Sequence, residues 1–285
     1  MTTNFAYVKN DFYPKDQACI SIEERGFKFG DGVFETIRVY SSIPYQWDLH
    51  LARLKEGIDA LKINADLSGL HALCRQLIQK NAVENGLLRL SLSRGIGSDG
   101  YLPVGTAAYE STLVIETLPL PNAPQEPVDL WISGYQKISA KALPVQVKLM
   151  QGMNSILARM EAAEHNCFDA LMLGDRAQIC ECSSSNIFWY RDNTLFTPSH
   201  MSGIMAGTTR EAIIRLFPKV KEGLFLLKEL HLADEVFLTN AAYQIIPVRS
   251  LSPMKLTWDS FAISSKVQKL LEQDIHTYAA KKKAA

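Results

Sequence analysis

The stretch Leu171–Tyr190, LMLGDRAQICECSSSNIFWY, decides how this chain is read. Apolar runs at its two ends predict strands, and Gly174-Asp175 predicts a tight turn. The middle breaks the pattern. Glu181 stands beside Cys182, followed by Ser183–Ser185 and Asn186, where a strand should be closing onto the core. A half-buried strand rarely carries a carboxylate among small residues without a partner. Working outward, Asp192-Asn193 marks a second turn, and the segment 168–198 predicts three strands.

Composition bounds what such a site serves. The chain has 285 residues and is 47% hydrophobic, enough for a sizeable core in one large or two ordinary domains. Lys+Arg and Asp+Glu are both 30, and that balance argues against a dedicated nucleic-acid or membrane-surface partner. The one charge run, Lys281–Lys283, reads as a solvated tail. No apolar run approaches the ~18 residues of a membrane span. The start, MTTNFAYVKN, lacks the apolar segment of a secretion signal. Five scattered cysteines argue against a disulfide framework, and Cys180-x-Cys182 lacks a second ligand pair, so no metal site is expected. The expected compartment is a reducing cytoplasm.

The clearest seam is LPLPNAPQEPVD, residues 118–129, with four prolines. Before it, 32–40 and 86–95 and 111–118 predict strands. Helical spacing of Leu51, Leu54, Ile58 and Leu61 predicts a helix over 43–63 with Asp48 as N-cap. A second helix is predicted over 67–85, and the Gly-rich loop RGIGSDGYLPVGT spans 94–106. After the seam, VDLWISGY (128–135) and PVQVKL (144–149) predict strands, and 154–166 a helix. Another helix starts near Thr208; 235–251 reads as strand, bend, strand; 259–280 is a terminal helix. The fold class is mixed α/β, of the α+β kind, with hairpins outnumbering βαβ units. No dinucleotide fingerprint, Walker A, HExxH or GxSxG occurs.

Four features carry chemistry. Lys148 ends an apolar run and reads either as a surface lysine at a strand end or as a desolvated lysine, a nucleophile able to form a Schiff base. Glu181 reads either as an outward-facing acid or as the partner of a positively charged ring nitrogen, with Ser183–Ser185 leaving room for a flat ring. AGTTREA (206–212) opens a helix with Thr208 as N-cap and reads either as a plain cap or as an anion site, where free N–H groups and the dipole favour negative charge. Arg53 sits in the first helix and reads either as a solvent-facing arginine or as a bidentate phosphate contact. Amine, acid and anion contacts together are what a pyridoxal phosphate site requires.

The segments FGDGVFETIRV (29–39), HLARL (50–54), Lys148 with NSILARMEA (154–162), ECSSSNIFW (181–189), GIMAGTTREA (203–212) and TNAAYQIIPV (239–248) resemble, in order, the class IV aminotransferase family. These are the fold-type IV enzymes of pyridoxal 5′-phosphate: branched-chain aminotransferase, D-amino acid aminotransferase and 4-amino-4-deoxychorismate lyase. The resemblance implies two α/β domains, here 1–117 and 129–285 joined by the linker 118–128, with the cofactor between them. It also implies a homodimer and a small-molecule amine substrate. By position, Lys148 matches the Schiff-base lysine, Glu181 the acid at the ring nitrogen, and Arg53, Thr208 and Thr209 the phosphate contacts. Asn240 falls on a segment that reaches the cofactor, Phe34 on the substrate side of the ring, and Arg94, Arg38 and Arg25 are candidates for binding a substrate carboxylate.

Within the family, no tyrosine follows the lysine in LMQGMNS, which departs from the branched-chain enzymes. Asp99 stands where D-amino acid enzymes carry an arginine. SRGIGSDGY and TNAAYQIIPV are closer to the lyases, although Asp99 and Gln151 depart from them too. The resemblance therefore implies first a 4-amino-4-deoxychorismate lyase of folate synthesis, then a branched-chain or D-amino acid aminotransferase, and last a non-catalytic protein on the same fold.

Overall fold

The computed structural model of the chain describes residues 4–97, 99–103 and 110–284. Contacts group the chain into two compact units. One is Met1–Leu120 with Val147–Gln151 and Thr277–Ala285; the other is Pro121–Gln146 with Gly152–His276. The linear division drawn from the prolines puts both returning segments with the second part, because proline content marks where a chain changes direction and not which side later segments pack on.

The first unit is built on β1 (Phe5–Val8), β2 (Asp11–Pro14), α1 (Arg25–Phe29), β3 (Gly32–Tyr40), β4 (Ile43–Pro44), α2 (Trp47–Leu61), α3 (Leu70–Lys80), β5 (Gly86–Ser93) and β6 (Thr112–Leu118). Its sheet runs β2-β1-β6-β5-β3-β4 and is antiparallel throughout. Val33, Ile37 and Val39 of β3 pack with Leu88 and Leu90 of β5 under Leu54 and Ile58 of α2 and Leu77 of α3. Gly57 lets α2 lie close on β3: a Cβ there would sit 2.8 Å from Val33 Cγ1. Helix α2 begins at Trp47 with Gln46 as its N-cap, so Asp48 lies inside the first turn, where its charge suits the helix dipole.

Because β4 spans two residues, the first residues of β3 have an outer edge left for another partner. The segment 148–150 takes it. Phe34 N–H donates to Lys148 O at 2.9 Å, Met150 N–H donates to Gly32 O at 2.9 Å, and Val33 bridges Leu149. This bridge is all that forms of the strand expected over 144–149. The available edge is short, and Pro144 has no N–H to donate.

The second unit contains β7 (Val128–Ile132), α4 (Met153–Glu164), β8 (Asp169–Leu173), β9 (Ile179–Cys182), β10 (Asn186–Arg191), β11 (Thr194–Pro198), α5 (Thr208–Leu216), β12 (Val220–Gly223), β13 (Glu235–Asn240), β14 (Gln244–Ser252) and β15 (Leu256–Thr257). Helix α6 (Ala262–Ala284) ends the chain. The sheet order is β12-β11-β10-β13-β14-β7-β8-β9, with β15 on β14, and the pairs β7·β8, β7·β14 and β11·β12 are parallel. The segment 168–198 thus holds four strands, not three. Ser183–Ser185 is a turn, closed by Cys182 N–H to Ser185 O at 2.8 Å. It carries the chain from the edge strand β9 to β10, which pairs with β13. Among the described residues no helix is long and apolar enough to cross a membrane. The Gly-rich loop read at 94–106 falls partly outside the described residues.

Candidate active site

In the first unit, alternation along β3 sends Val33, Glu35, Ile37 and Val39 to the buried face, and Phe34, Thr36, Arg38 and Tyr40 to the other. A carboxylate on the apolar face needs partners, and α2 provides them one turn apart. Arg53 Nε donates to Glu35 Oε1 at 2.7 Å and its Nη2 to Oε2 at 2.6 Å; His50 Nδ1 lies 2.7 Å from Oε2. Burial by itself pushes the Glu35 carboxyl up, but Arg53 and His50 outweigh it and hold it at about 2. Burial pushes His50 down, with Arg53 and Lys148 adding to the effect against Glu35, so a neutral imidazole donating Nδ1–H to the carboxylate fits the site. Sequence reasoning missed both Glu35 and His50, although each stands in a quoted motif. The period-two pattern of β3 is the signal that finds Glu35.

Lys148 is half-buried beside β3, with its Nζ 4.5 Å from the centre of the Phe34 ring. Arg89, on β5, places its guanidinium carbon 4.7 Å from the same ring. Phe34 therefore sits among cations. Arg38 lies with its guanidinium carbon 5.0 Å from the Tyr40 ring.

The candidate carboxylate binders Arg94 and Arg25 are placed otherwise. Arg94 donates from Nε and Nη2 to Asp31 at 2.8 and 2.9 Å, and to the carbonyls of Lys62 and Leu61 at 3.0 and 2.7 Å. Arg25 Nε donates to Asp31 at 2.8 Å and its Nη1 to Gly100 O at 2.8 Å. Burial raises Asp31, and the two guanidiniums overcome that and hold it below the usual carboxylate range. Arg94 closes the end of α2 onto Asp31, so its guanidinium is committed within the fold. Asp99, at the loop position where an arginine would mark a D-amino acid enzyme, pairs with Lys28.

The second unit holds the acid of the opening stretch. Glu181 is 3% exposed. Lys137 Nζ lies 2.6 Å from Oε1, Asn186 Nδ2 donates to Oε2 at 2.8 Å, and Met205 N–H is shared between the oxygens at 3.1 and 3.2 Å. Two carboxylate oxygens offer about four lone-pair directions. With the Met205 N–H bridging both oxygens, the three donors make two contacts with each of them. Sequence reasoning missed Lys137 and Asn186 as partners of this acid; a lysine in the loop after β7 carries no local pattern that marks it.

Thr208 and Thr209 are both buried at the start of α5, whose first N–H groups have no partner within the helix. The N-cap is Gly207, not Thr208. A Cβ on Gly207 would meet Asn186 Oδ1 at 2.0 Å, so the loop 205–207 is pressed against the acid's own support. Asn240 ends β13. Its Nδ2 donates to Ser184 O and Ser185 Oγ at 3.3 and 3.0 Å, and its Oδ1 accepts from the N–H groups of Ala242 and Tyr243. It ties the β13–β14 turn to the turn after β9. Lys148, Phe34 and Arg53 thus belong to the first unit, and Glu181, Thr208, Thr209 and Asn240 to the second.

The family described as Amino-transferase class IV matches residues 32–251, which include every one of these side chains. The chain belongs to the class IV aminotransferase family. A D-alanine aminotransferase of Listeria monocytogenes is 29% identical over 87% of this chain and 88% of its own length. The crystal structure of the 4-amino-4-deoxychorismate lyase of Pseudomonas aeruginosa superposes with a TM-score of 0.81 at 28% identity, covering 95% of this chain and 99% of that one. A branched-chain amino acid aminotransferase from T.th., solved with pyridoxamine 5′-phosphate, has a TM-score of 0.87 at 22% identity, covering 96% and 95%. This last likeness is one of fold.

Proposed function

We propose that this class IV enzyme is a 4-amino-4-deoxychorismate lyase, using pyridoxal 5′-phosphate to release pyruvate and leave 4-aminobenzoate. The donor set fits the cofactor. Lys148 supplies an amine, Glu181 a buried carboxylate, and α5 a helix start with buried hydroxyls. When bound, the cofactor supplies an aldehyde for Schiff-base chemistry and a ring that accepts electrons.

In this reading Lys148 would hold the cofactor through its amine, and the same amine would take a proton from the carbon bearing the substrate's amine and return one to the departing side chain. Glu181 keeps a positive ring nitrogen in place. Thr208 and Thr209 hold the phosphate with α5, and Arg53, fixed by Glu35, adds a cation. Asn240 shapes the turn beside Ser185. Phe34 borders the substrate with Lys148 above its ring. The working unit is a homodimer in the cytoplasm.

The observation that carries the lyase reading is the likeness to the Pseudomonas aeruginosa lyase over 95% of this chain and 99% of that one, while the loop after β5 weighs against a D-amino acid transaminase in particular. Asp99 pairs with Lys28, and Arg94 is committed to Asp31, so neither position offers the carboxylate clamp expected of a D-amino acid transaminase. Deletion of a side chain from an aromatising ring needs no second keto acid to be bound. The likeness to the Listeria aminotransferase favours the alternative, amine transfer from an amino acid. Incubation with 4-amino-4-deoxychorismate alone decides between them. Appearance of 4-aminobenzoate and pyruvate without any keto-acid acceptor is the expected result. No product there, with turnover of D-alanine or a branched-chain amino acid plus 2-oxoglutarate, reverses the assignment.

A further inference from the structure

Lys137 lies in the loop after β7, its backbone held by an N–H donated to Leu173 O at 2.9 Å. Lys137 lines a cavity of about 370 Å³ with Ile138, Met201, Leu224 and Leu226. The ammonium reaches Glu181 at 2.6 Å, where the two side chains are 14% and 4% exposed. Among the described residues Lys137 is the cation paired with Glu181. The flanking thiols do not compete near neutral pH: burial, with Glu181 and Asp175 adding to it, pushes Cys180 up to about 12 despite Lys137, and burial with Asp169 and Glu181 pushes Cys182 well above its ordinary value despite Arg159.

A buried carboxylate without a counter-ion is costly, and the cost is relieved by taking up a proton. An acid in that neutral state cannot hold a positive ring nitrogen. The remaining donors, the Asn186 amide and the Met205 N–H, are neutral. They orient the carboxylate but do not balance its charge. We propose that Lys137 is a positioning residue acting through Glu181: it keeps the carboxylate charged and oriented for a positive ring nitrogen. The proposal rests on the role given to Glu181 above, and it identifies a specific residue outside the expected site as the control on that role.

The test is a cycle of variants in the holoenzyme. Lys137→Met keeps an apolar stem and removes the charge. Its expected effect is a fall in kcat of about tenfold or more with KM within about threefold, while Lys137→Arg stays within about threefold of the parent. Against Glu181→Gln the same change should cost less than about twofold, because its route is gone. The pH at which the visible band of the bound cofactor changes should move by about one unit in Lys137→Met and stay put in Lys137→Arg. A Lys137→Met enzyme within about twofold of the parent in kcat overturns the proposal, as does a double variant whose losses simply multiply. If Lys137→Met does not fold, Lys137→Gln, which retains a donor without the charge, makes the same comparison. A Glu181→Gln enzyme with full activity and an unchanged band would instead defeat the role of Glu181 itself, whatever Lys137 does.

Discussion

Arg53 grips Glu35 through two parallel hydrogen bonds of 2.7 and 2.6 Å, across the gap between α2 and β3. The pair is a bidentate one, the strong form of an arginine–carboxylate contact. His50 adds a third contact from the helical turn before. An arginine proposed to meet a phosphate is thereby held from behind by an acid that the apolar face of β3 positions. Its orientation is fixed by the fold before any ligand arrives.

Replacing Glu35 should expose this arrangement in stability. Its carboxyl sits at about 2 in the folded chain against an ordinary 4.5. A depressed folded value contributes stability above about pH 4.5 and loses it as pH falls through about 2. The shift corresponds to about 3 kcal/mol. Glu35→Gln should therefore unfold about 3 kcal/mol more easily at pH 6, with more than half of that difference gone by about pH 3. Urea denaturation of both proteins at the two pH values measures it. A difference that does not narrow in acid would contradict the assignment.

Lys148→Ala tests the proposed Schiff-base lysine. The expected enzyme has lost its visible cofactor band and its covalent label after borohydride treatment, and turns over about a thousandfold or more slowly. Peptide mapping of the labelled parent should return the segment containing Lys148. Label on another lysine would remove the central assignment.

What is legible in the sequence, and what is hidden, divides along the range of the interactions. Glu181 can be picked out because a carboxylate violates the local strand pattern, and Thr208 because a helix start is local too. Lys137 is joined to Glu181 only by the folding of the sheet, over 44 residues, and Arg94 looks the same in sequence whether it meets a substrate or Asp31. PVQVKL has the composition of a strand, but β3 offers an edge of only a few residues there. Ser183–Ser185 reads in sequence as open space on a strand face. It is the turn between β9 and β10, and the acid stands on the strand that precedes it.

Gly207→Ala should damage the acid's support without touching the acid. The new methyl would sit 2.0 Å from Asn186 Oδ1, so the amide that donates to Glu181 must move. Losing a hydrogen bond to a charged group is worth about 1.5–3 kcal/mol, which predicts a fall in kcat of about ten- to a hundredfold. Asn186→Ala should reproduce it. Steady-state kinetics of the two variants side by side is the check, and a fully active Gly207→Ala enzyme would show that the loop yields instead.

Thr209→Val removes a hydroxyl at the start of α5 and keeps its shape. Should that hydroxyl meet the phosphate, cofactor affinity falls by about tenfold, the worth of a hydrogen bond to a charged group at the low end of its range. Equilibrium dialysis of pyridoxal 5′-phosphate measures it directly. Thr208→Val gives the parallel measurement, and unchanged affinity in both would take the two hydroxyls out of the phosphate site and leave only the backbone N–H groups of α5.

Arg94 separates a substrate role from an architectural one. Its guanidinium is shared between Asp31 and the carbonyls of Leu61 and Lys62, which close the C-terminal end of α2. Removing it leaves Asp31 with Arg25 as its guanidinium partner among the described residues and takes the Arg94 donor from those carbonyls. A broken buried pair costs about 3–5 kcal/mol, and the surviving Arg25 contact should reduce that to about 2–3 kcal/mol. Arg94→Met is therefore expected to melt well below the parent, while KM for the substrate changes by less than about threefold at a temperature where both are folded. Differential scanning calorimetry with initial-rate kinetics gives both numbers from one preparation. A large rise in KM at unchanged stability would mean that the guanidinium leaves Asp31 to meet the substrate carboxylate, and the loop after β5 would then be part of the substrate site.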